Sequence, residues 1–109
     1  MLEGKVVAVT GAGRGIGRAI ALACAASGAQ VVVNDYGVDP SGGGVDANPA
    51  QDVVAEIEAA GGCALANLAS IVDPSGAASI IEDAVRAFGR IDAVVNNAGF
   101  LRDAIFHKL

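Results

Sequence analysis

The chain has 109 residues, the size of one small domain, and is 53% hydrophobic but only 4% aromatic, so one core built from Ala, Val, Ile and Leu is expected. No apolar run approaches the roughly 18 residues of a membrane span, and the N-terminus MLEGKVVAVT enters a strand pattern without the regions of a signal peptide, so a soluble, cytoplasmic protein is expected. The formal net charge of −5, with no run of Lys or Arg, argues against a nucleic-acid partner.

In chain order, Lys5–Val9 is a short apolar run ended by the glycine loop TGAGRGIG, Thr10–Gly17, which suits a strand buried on both faces. From Gly15 to about Ser27, the residues Ile16, Ala19, Ile20, Ala23 and Cys24 recur at helical spacing. Gly28 then stands where a helix C-terminus favours a residue without Cβ. Gln30–Asn34 is a second β-branched run, closing on Asp35. Tyr36–Pro49 is too rich in glycine for regular structure and reads as a surface loop or insertion. Asn48, Pro49 and Gln51 read as N-cap, first-turn proline and capping-box partner of a second helix. Val53, Val54 and Ile57 face inward there, with Asp52, Glu56 and Glu58 in solvent. Gly61 and Gly62 stop that helix, and Cys63–Leu68 makes a third strand.

Asp73-Pro74 opens a third helix whose apolar face is Ala77, Ile80, Ile81, Ala84, Val85 and Phe88, ended by Gly89. Ile91–Asn96 is a fourth strand, followed by NAG and the start of another helical segment. Four strands alternating with three helices predict an α/β fold, the N-terminal part of a Rossmann-type doubly wound parallel sheet in the order β-α-β-α-β-α-β. Cys24 and Cys63 have no metal-ligand spacing, and His107 is the only histidine. Buried free thiols, a surface histidine and no metal site are expected.

A glycine-rich turn between a first strand and a first helix lets backbone N–H groups face an anion at the positive end of the helix dipole. The loop fails G-x-G-x-x-G, because Ile16 stands at the third glycine position, and it fits G-x-x-x-G-x-G through Gly11, Gly15 and Gly17. Gly13 falls outside that spacing and is expected to be tolerated rather than required. The phosphate-loop pattern of nucleoside triphosphatases fails too, since Arg18 and Ala19 replace its Lys and Ser or Thr. A structural turn without a ligand gives a similar loop. Asp35, about twenty residues on at the end of the second strand, favours a ligand, because an acid there can accept hydrogen bonds from a ribose hydroxyl.

TGAGRGIG after the first strand, Asp35 after the second and NNAG (Asn96–Gly99) after the fourth resemble the short-chain dehydrogenase/reductase family over essentially the whole chain. VVVNDYG, AEIEAAGG and FGRIDAVVNNAGFLRD further resemble the 3-hydroxyacyl dehydrogenase domain of multifunctional β-oxidation enzymes and the related 3-oxoacyl reductases. The resemblance implies that Gly11, Gly15, Ile16 and Gly17 hold a pyrophosphate. It implies that Asn97, Ala98 and Gly99 pass beneath the cofactor ribose, with Asn97 also tying the fourth strand to its neighbours. Relatives carry an Asp after the third strand that reaches the adenine; Ala69 occupies that place, with Ser70 beside it.

Two residues oppose each other on the choice of cofactor. Arg14 sits where NADP-using relatives carry a base for the 2′-phosphate, and Asp35 where NAD-using relatives carry the acid for the free hydroxyl. A hydrogen bond to a charged group is worth about 1.5–3 kcal/mol, whereas an exposed Arg pair returns only about 0–1 kcal/mol. The acid should decide, so NAD is expected over NADP.

The same resemblance implies a catalytic Ser and a Tyr-x-x-x-Lys pair. The only tyrosine is Tyr36, with Pro40 four residues on, and the only lysines are Lys5 and Lys108. No catalytic residue is therefore assigned within 1–109, which is expected to be the cofactor-binding half of a longer enzyme, inactive alone, with its fourth strand a bare apolar edge. The partners implied are a cofactor and a small-molecule substrate, with the full-length form a homo-oligomer.

Overall fold

The computed structural model describes residues 1–36, 48–70, 74–97 and 105–107. Five strands, β1 (Val6–Val9), β2 (Gln30–Asn34), β3 (Cys63–Asn67), β4 (Ala93–Val95) and β5 (Ile105–His107), form one sheet in the order β3-β2-β1-β4-β5. The helices α1 (Gly15–Ala26), α2 (Asn48–Ala59) and α3 (Pro74–Phe88) connect the first four strands. Those four strands are parallel, as the alternation of strands and helices predicts. The order reverses direction at β1, which lies between β2 and β4.

The strand residues alternate between two layers, as the period of two requires. Val7, Val9, Val31 and Val33 pack with Ala21, Val53 and Ile57 beneath α1 and α2. Val6, Ala8 and Val32 pack with Ile80, Ala84 and Ile91 beneath α3. A strand buried on both faces tolerates no polar side chain along its length, and β1 is VVAV without interruption.

The helices differ from the expected faces in rotation. In α1 the buried residues are Gly17 and Ala21, while Ile16 is 73% exposed and Ala19 and Ala23 also point outward. The helix turns its smallest residues to the sheet because Gly17 lies against the glycine loop, and that contact sets the rotation of everything after it. In α3, Ile80 and Ala84 are buried, whereas Ala77, Ile81 and Val85 are exposed. The apolar stripe read from the periodicity is thus wider than the face β1 and β2 can cover. The α2 face follows expectation, with Val53 and Ile57 buried, and Arg18 of α1 pairs with Glu56 of α2 across the two helices.

Two further expectations change. Residues 105–107 are not helical but form β5, which pairs antiparallel with β4, Val94 opposite Phe106. The outer edge of β4 is therefore occupied rather than bare, because a folded-back segment satisfies its backbone groups. Cys63 is exposed rather than buried, at the outer end of edge strand β3, and Cys24 is half-buried; both are free thiols. The loop read at Tyr36–Pro49 and the Asp73 start of α3 lie largely or wholly outside the described residues, as do Ala98 and Gly99.

Candidate functional site at the carboxyl ends of the strands

Of the residues singled out in the sequence, the described ones converge where β1, β2, β3 and β4 end. In an open parallel sheet, ligands bind outside the carboxyl ends of the strands where the order reverses, which here is the end of β1.

The glycine loop leaves β1 through Thr10, which locks it to β4. Thr10 N donates to Val95 O at 3.0 Å, and Thr10 Oγ1 accepts from Asn97 N at 2.8 Å. The hydroxyl proton has Asn96 Oδ1 at 3.2 Å and Val95 O at 3.4 Å as acceptors. Gly11 and Gly15 take φ of 60° and 62°, the left-handed region that costs an L side chain about 1–2 kcal/mol. Gly17 is needed for space instead. A Cβ there would strike the Gly11 carbonyl oxygen and stand 2.6 Å from Asn97 Nδ2, and Asn97 Nδ2 itself donates to Gly11 O at 3.4 Å. Gly11, Gly17 and Asn97 thus form one contact, and Asn97 ties the end of β4 to the glycine loop.

The helix that begins at this loop has an open N-terminus. Arg14 is its N-cap, with extended backbone (φ −160°) and no side-chain capping bond, and no acidic residue stands in the first turn. The first backbone N–H groups of α1 and the positive end of its dipole therefore remain for an anion. Gly15, Ile16 and the Arg14 side chain are exposed beside them.

Asp35 arrives from the other side. Its backbone N–H donates to Asn67 O at 3.0 Å, continuing the β2–β3 ladder, and its carboxylate Oδ2 accepts from Gly13 N–H at 2.8 Å. Ala12 N–H donates to Asn34 O at 2.8 Å, so the loop and the end of β2 are joined twice. Gly13 is consequently not a tolerated position: it is buried, and a Cβ on it would run into the Asp35 carboxylate and Pro49.

The third side is built by two asparagines the sequence reading passed over. Asn34 and Asn67 are register partners that close β2 and β3. Asn34 Nδ2 donates to Asn67 Oδ1 at 2.9 Å and to Ala69 O at 3.0 Å, and Ala69 N donates to Asn67 Oδ1 at 3.0 Å. Asn67 Nδ2 donates to Asp83 Oδ2 at 2.8 Å and to Ser79 Oγ at 3.3 Å, both on α3. The Ala69 backbone is therefore committed to the fold. Half-buried Ser70 lies close against α3, where a Cβ on Gly76 would strike its carbonyl oxygen. A signal for this chain existed: the apolar runs VVVN and ALAN each end in a buried Asn.

Two clefts, of about 410 Å³ and 470 Å³, open elsewhere, one lined by Leu22, Glu56 and Cys63 and the other by Leu2, Arg90 and Asp92. Neither contains the glycine loop or Asp35, so the convergence of polar groups and an open helix terminus is the better guide to the site. Among the described residues no cluster of His, Cys, Asp and Glu could hold a metal, and no helix is long and apolar enough to cross a membrane.

The short chain dehydrogenase family profile matches residues 5–109. The chain belongs to that family. It is 54% identical to a short chain dehydrogenase of Mycobacterium avium of known structure, with a TM-score of 0.81 over 94% of this chain and 36% of that one. A 7α-hydroxysteroid dehydrogenase solved with NADH and 7-oxo glycochenodeoxycholic acid is 37% identical, with a TM-score of 0.76 over 87% of this chain and 34% of that one. Among curated relatives, the peroxisomal hydratase-dehydrogenase-epimerase of Saccharomyces cerevisiae is 49% identical over 105 residues, 96% of this chain and 11% of that protein. The chain thus spans little more than a third of these solved relatives and about a tenth of the yeast enzyme. Membership of the family makes it part of an oxidoreductase lineage that uses a nicotinamide cofactor.

Proposed function

We infer that residues 1–109 form the cofactor site of an NAD-dependent oxidoreductase that moves a hydride between NAD and a hydroxyl or carbonyl carbon. The observation that carries this reading is the Asp35 carboxylate, anchored to the glycine loop at 2.8 Å from Gly13 N and beside the open N-terminus of α1. The residues fit a dinucleotide: uncapped N–H groups suit the pyrophosphate, and an acid across the loop suits a ribose diol. Gly11, Gly15, Ile16 and Gly17 supply the backbone for the former and Asp35 the acceptor for the latter. Asn97 borders the ribose from the end of β4, the role the family resemblance also implies for Ala98 and Gly99, and Ser70 lies on the adenine side. With Ala69 in the place of the usual Asp and its N–H and C=O both bonded within the fold, the adenine edge has fewer partners here than in relatives.

Bound NAD supplies the hydride acceptor; the chain itself binds and orients it. No proton-transfer group is assigned within 1–109, because the only tyrosine, Tyr36, has no lysine four residues on. We place the Ser and Tyr-x-x-x-Lys of the complete enzyme outside this stretch, so the stretch alone is inactive. The favoured substrate is a 3-hydroxyacyl or 3-oxoacyl thioester. The name of the yeast relative joins a hydratase to a dehydrogenase, which suits a hydroxyl-bearing substrate. A net charge of −5 disfavours nucleic acid as a partner.

An NADP-dependent 3-oxoacyl reductase is the second reading, favoured by exposed Arg14 at the mouth of α1. Titration of NAD and NADP into the wild type and Asp35→Ala separates the two. Asp35→Ala should narrow or reverse the preference for NAD, and an unchanged affinity ratio would sink the assignment.

A further inference from the structure

Gly13 has no positive φ, so its backbone does not require glycine, and the loop spacing passes over it. Its surroundings do require it. A Cβ at this position would stand 2.7 Å from Pro49 Cβ and 2.9 Å from Asp35 Cγ, closer than the 3.0 Å that real Cβ atoms respect, and would strike Asp35 Oδ2. Pro49 is a rigid ring in the first turn of α2. The Asp35 backbone is bonded to β3 through Asn67 O, and Ala12 N–H to Asn34 O holds the loop itself. The softest wall of this enclosure is the Asp35 carboxylate, which turns on two torsions.

We propose that Gly13 is a positioning residue for cofactor discrimination: its bare N–H holds the Asp35 carboxylate on the glycine loop, and any side chain at position 13 removes that hold. The proposal rests on the reading of Asp35 as the acceptor of the ribose hydroxyls. A carboxylate has about four acceptor positions, and the bond from Gly13 takes one of them. The same bond fixes the negative charge beside the ribose site, against a 2′-phosphate. A carboxylate pushed off the loop loses the hydroxyls of NAD and relieves the repulsion of NADP, and both effects shift the preference in one direction.

Calorimetric titration of NAD and NADP into the intact protein tests this with wild type, Gly13→Ala and Asp35→Ala. Gly13→Ala should lower the ratio of NAD to NADP affinity by about tenfold, the scale of one charged hydrogen bond. A merely structural defect weakens both cofactors alike and leaves the ratio in place. If Asp35→Ala changes the ratio and folded Gly13→Ala leaves it within about twofold of wild type, the proposal is overturned while the reading of Asp35 stands. If neither changes it, the reading of Asp35 has failed and the proposal with it. Should Gly13→Ala not fold, amide exchange in the cofactor-free protein decides. Protection of the Gly13 N–H that is lost in Asp35→Ala supports the hold, and equal exchange in the two proteins overturns it.

Discussion

Gly17→Ala sets two physical effects against each other, and the structure says which wins. Gly17 lies in the first turn of α1 without a positive φ, so helix propensity alone favours alanine by about 1 kcal/mol. The added Cβ would overlap the Gly11 carbonyl oxygen and sit 2.8 Å from the Gly11 carbonyl carbon and 2.6 Å from Asn97 Nδ2. None of these is the loose end of a long side chain. The loop is pinned to β4 through Thr10 and to β2 through Ala12, so α1 itself must retreat. Overpacking of this kind costs about 1–3 kcal/mol, and loss of the bond from Asn97 to Gly11 O adds about 0.5 kcal/mol. Set against the propensity gain, a net loss of about 1–2 kcal/mol is expected, which lowers a urea midpoint by about 0.5–1 M. Because the retreating helix carries the anion-facing N–H groups with it, NAD affinity should fall in the same variant. Urea unfolding and an NAD titration on the intact protein measure both. A midpoint equal to or above that of wild type, with affinity unchanged, would show that Gly17 is not a close-packing glycine.

The other predictions concern separate parts of the molecule. Asn67→Ala removes the acceptor of Ala69 N–H and a partner of Asp83, and should destabilise by about 2–3 kcal/mol in urea unfolding; a loss below about 0.5 kcal/mol would mean that water replaces the amide. The two thiols should react with Ellman's reagent in two phases. Burial pushes the Cys24 thiol above its ordinary pKa, while Cys63 is exposed, so Cys63→Ser should remove the fast phase and leave the slow one. Asp92 accepts from Arg90 and from Val6 N–H at 2.8 Å, which together hold its carboxyl below its ordinary value of 3.8. A depressed native pKa gives stability that is present above the ordinary value and lost as the pH falls through the lowered one. Acid unfolding below pH 3.8 should therefore be shallower in Asp92→Asn than in wild type, and parallel curves would refute the linkage.

The order and kind of the first seven elements were legible in the sequence, because each depends on local chemistry. An unbroken apolar run bounded by glycine makes a doubly buried strand, and β2 runs from Gln30 to Asn34 as read. The helix stop at Gly28, with φ of 102°, follows from a conformation that only glycine adopts freely. Gly11, Gly15, Gly17, Asp35 and Asn97 could likewise be singled out, since their residue types are tied to strand ends by spacing. Tertiary structure decided what local periodicity cannot carry. It decided the rotation of α1, where Ile16 faces outward because Gly17 must meet Gly11. It decided the pairing of β5 with β4, a contact between segments the sequence pattern assigned to different kinds of structure. It also decided the joint role of Asn34 and Asn67, 33 residues apart in the chain, and the need for glycine at position 13, which comes from a carboxylate 22 residues away. A residue's propensity acts on its own backbone, whereas close approach and hydrogen bonding depend on which distant groups the fold brings within about 3 Å.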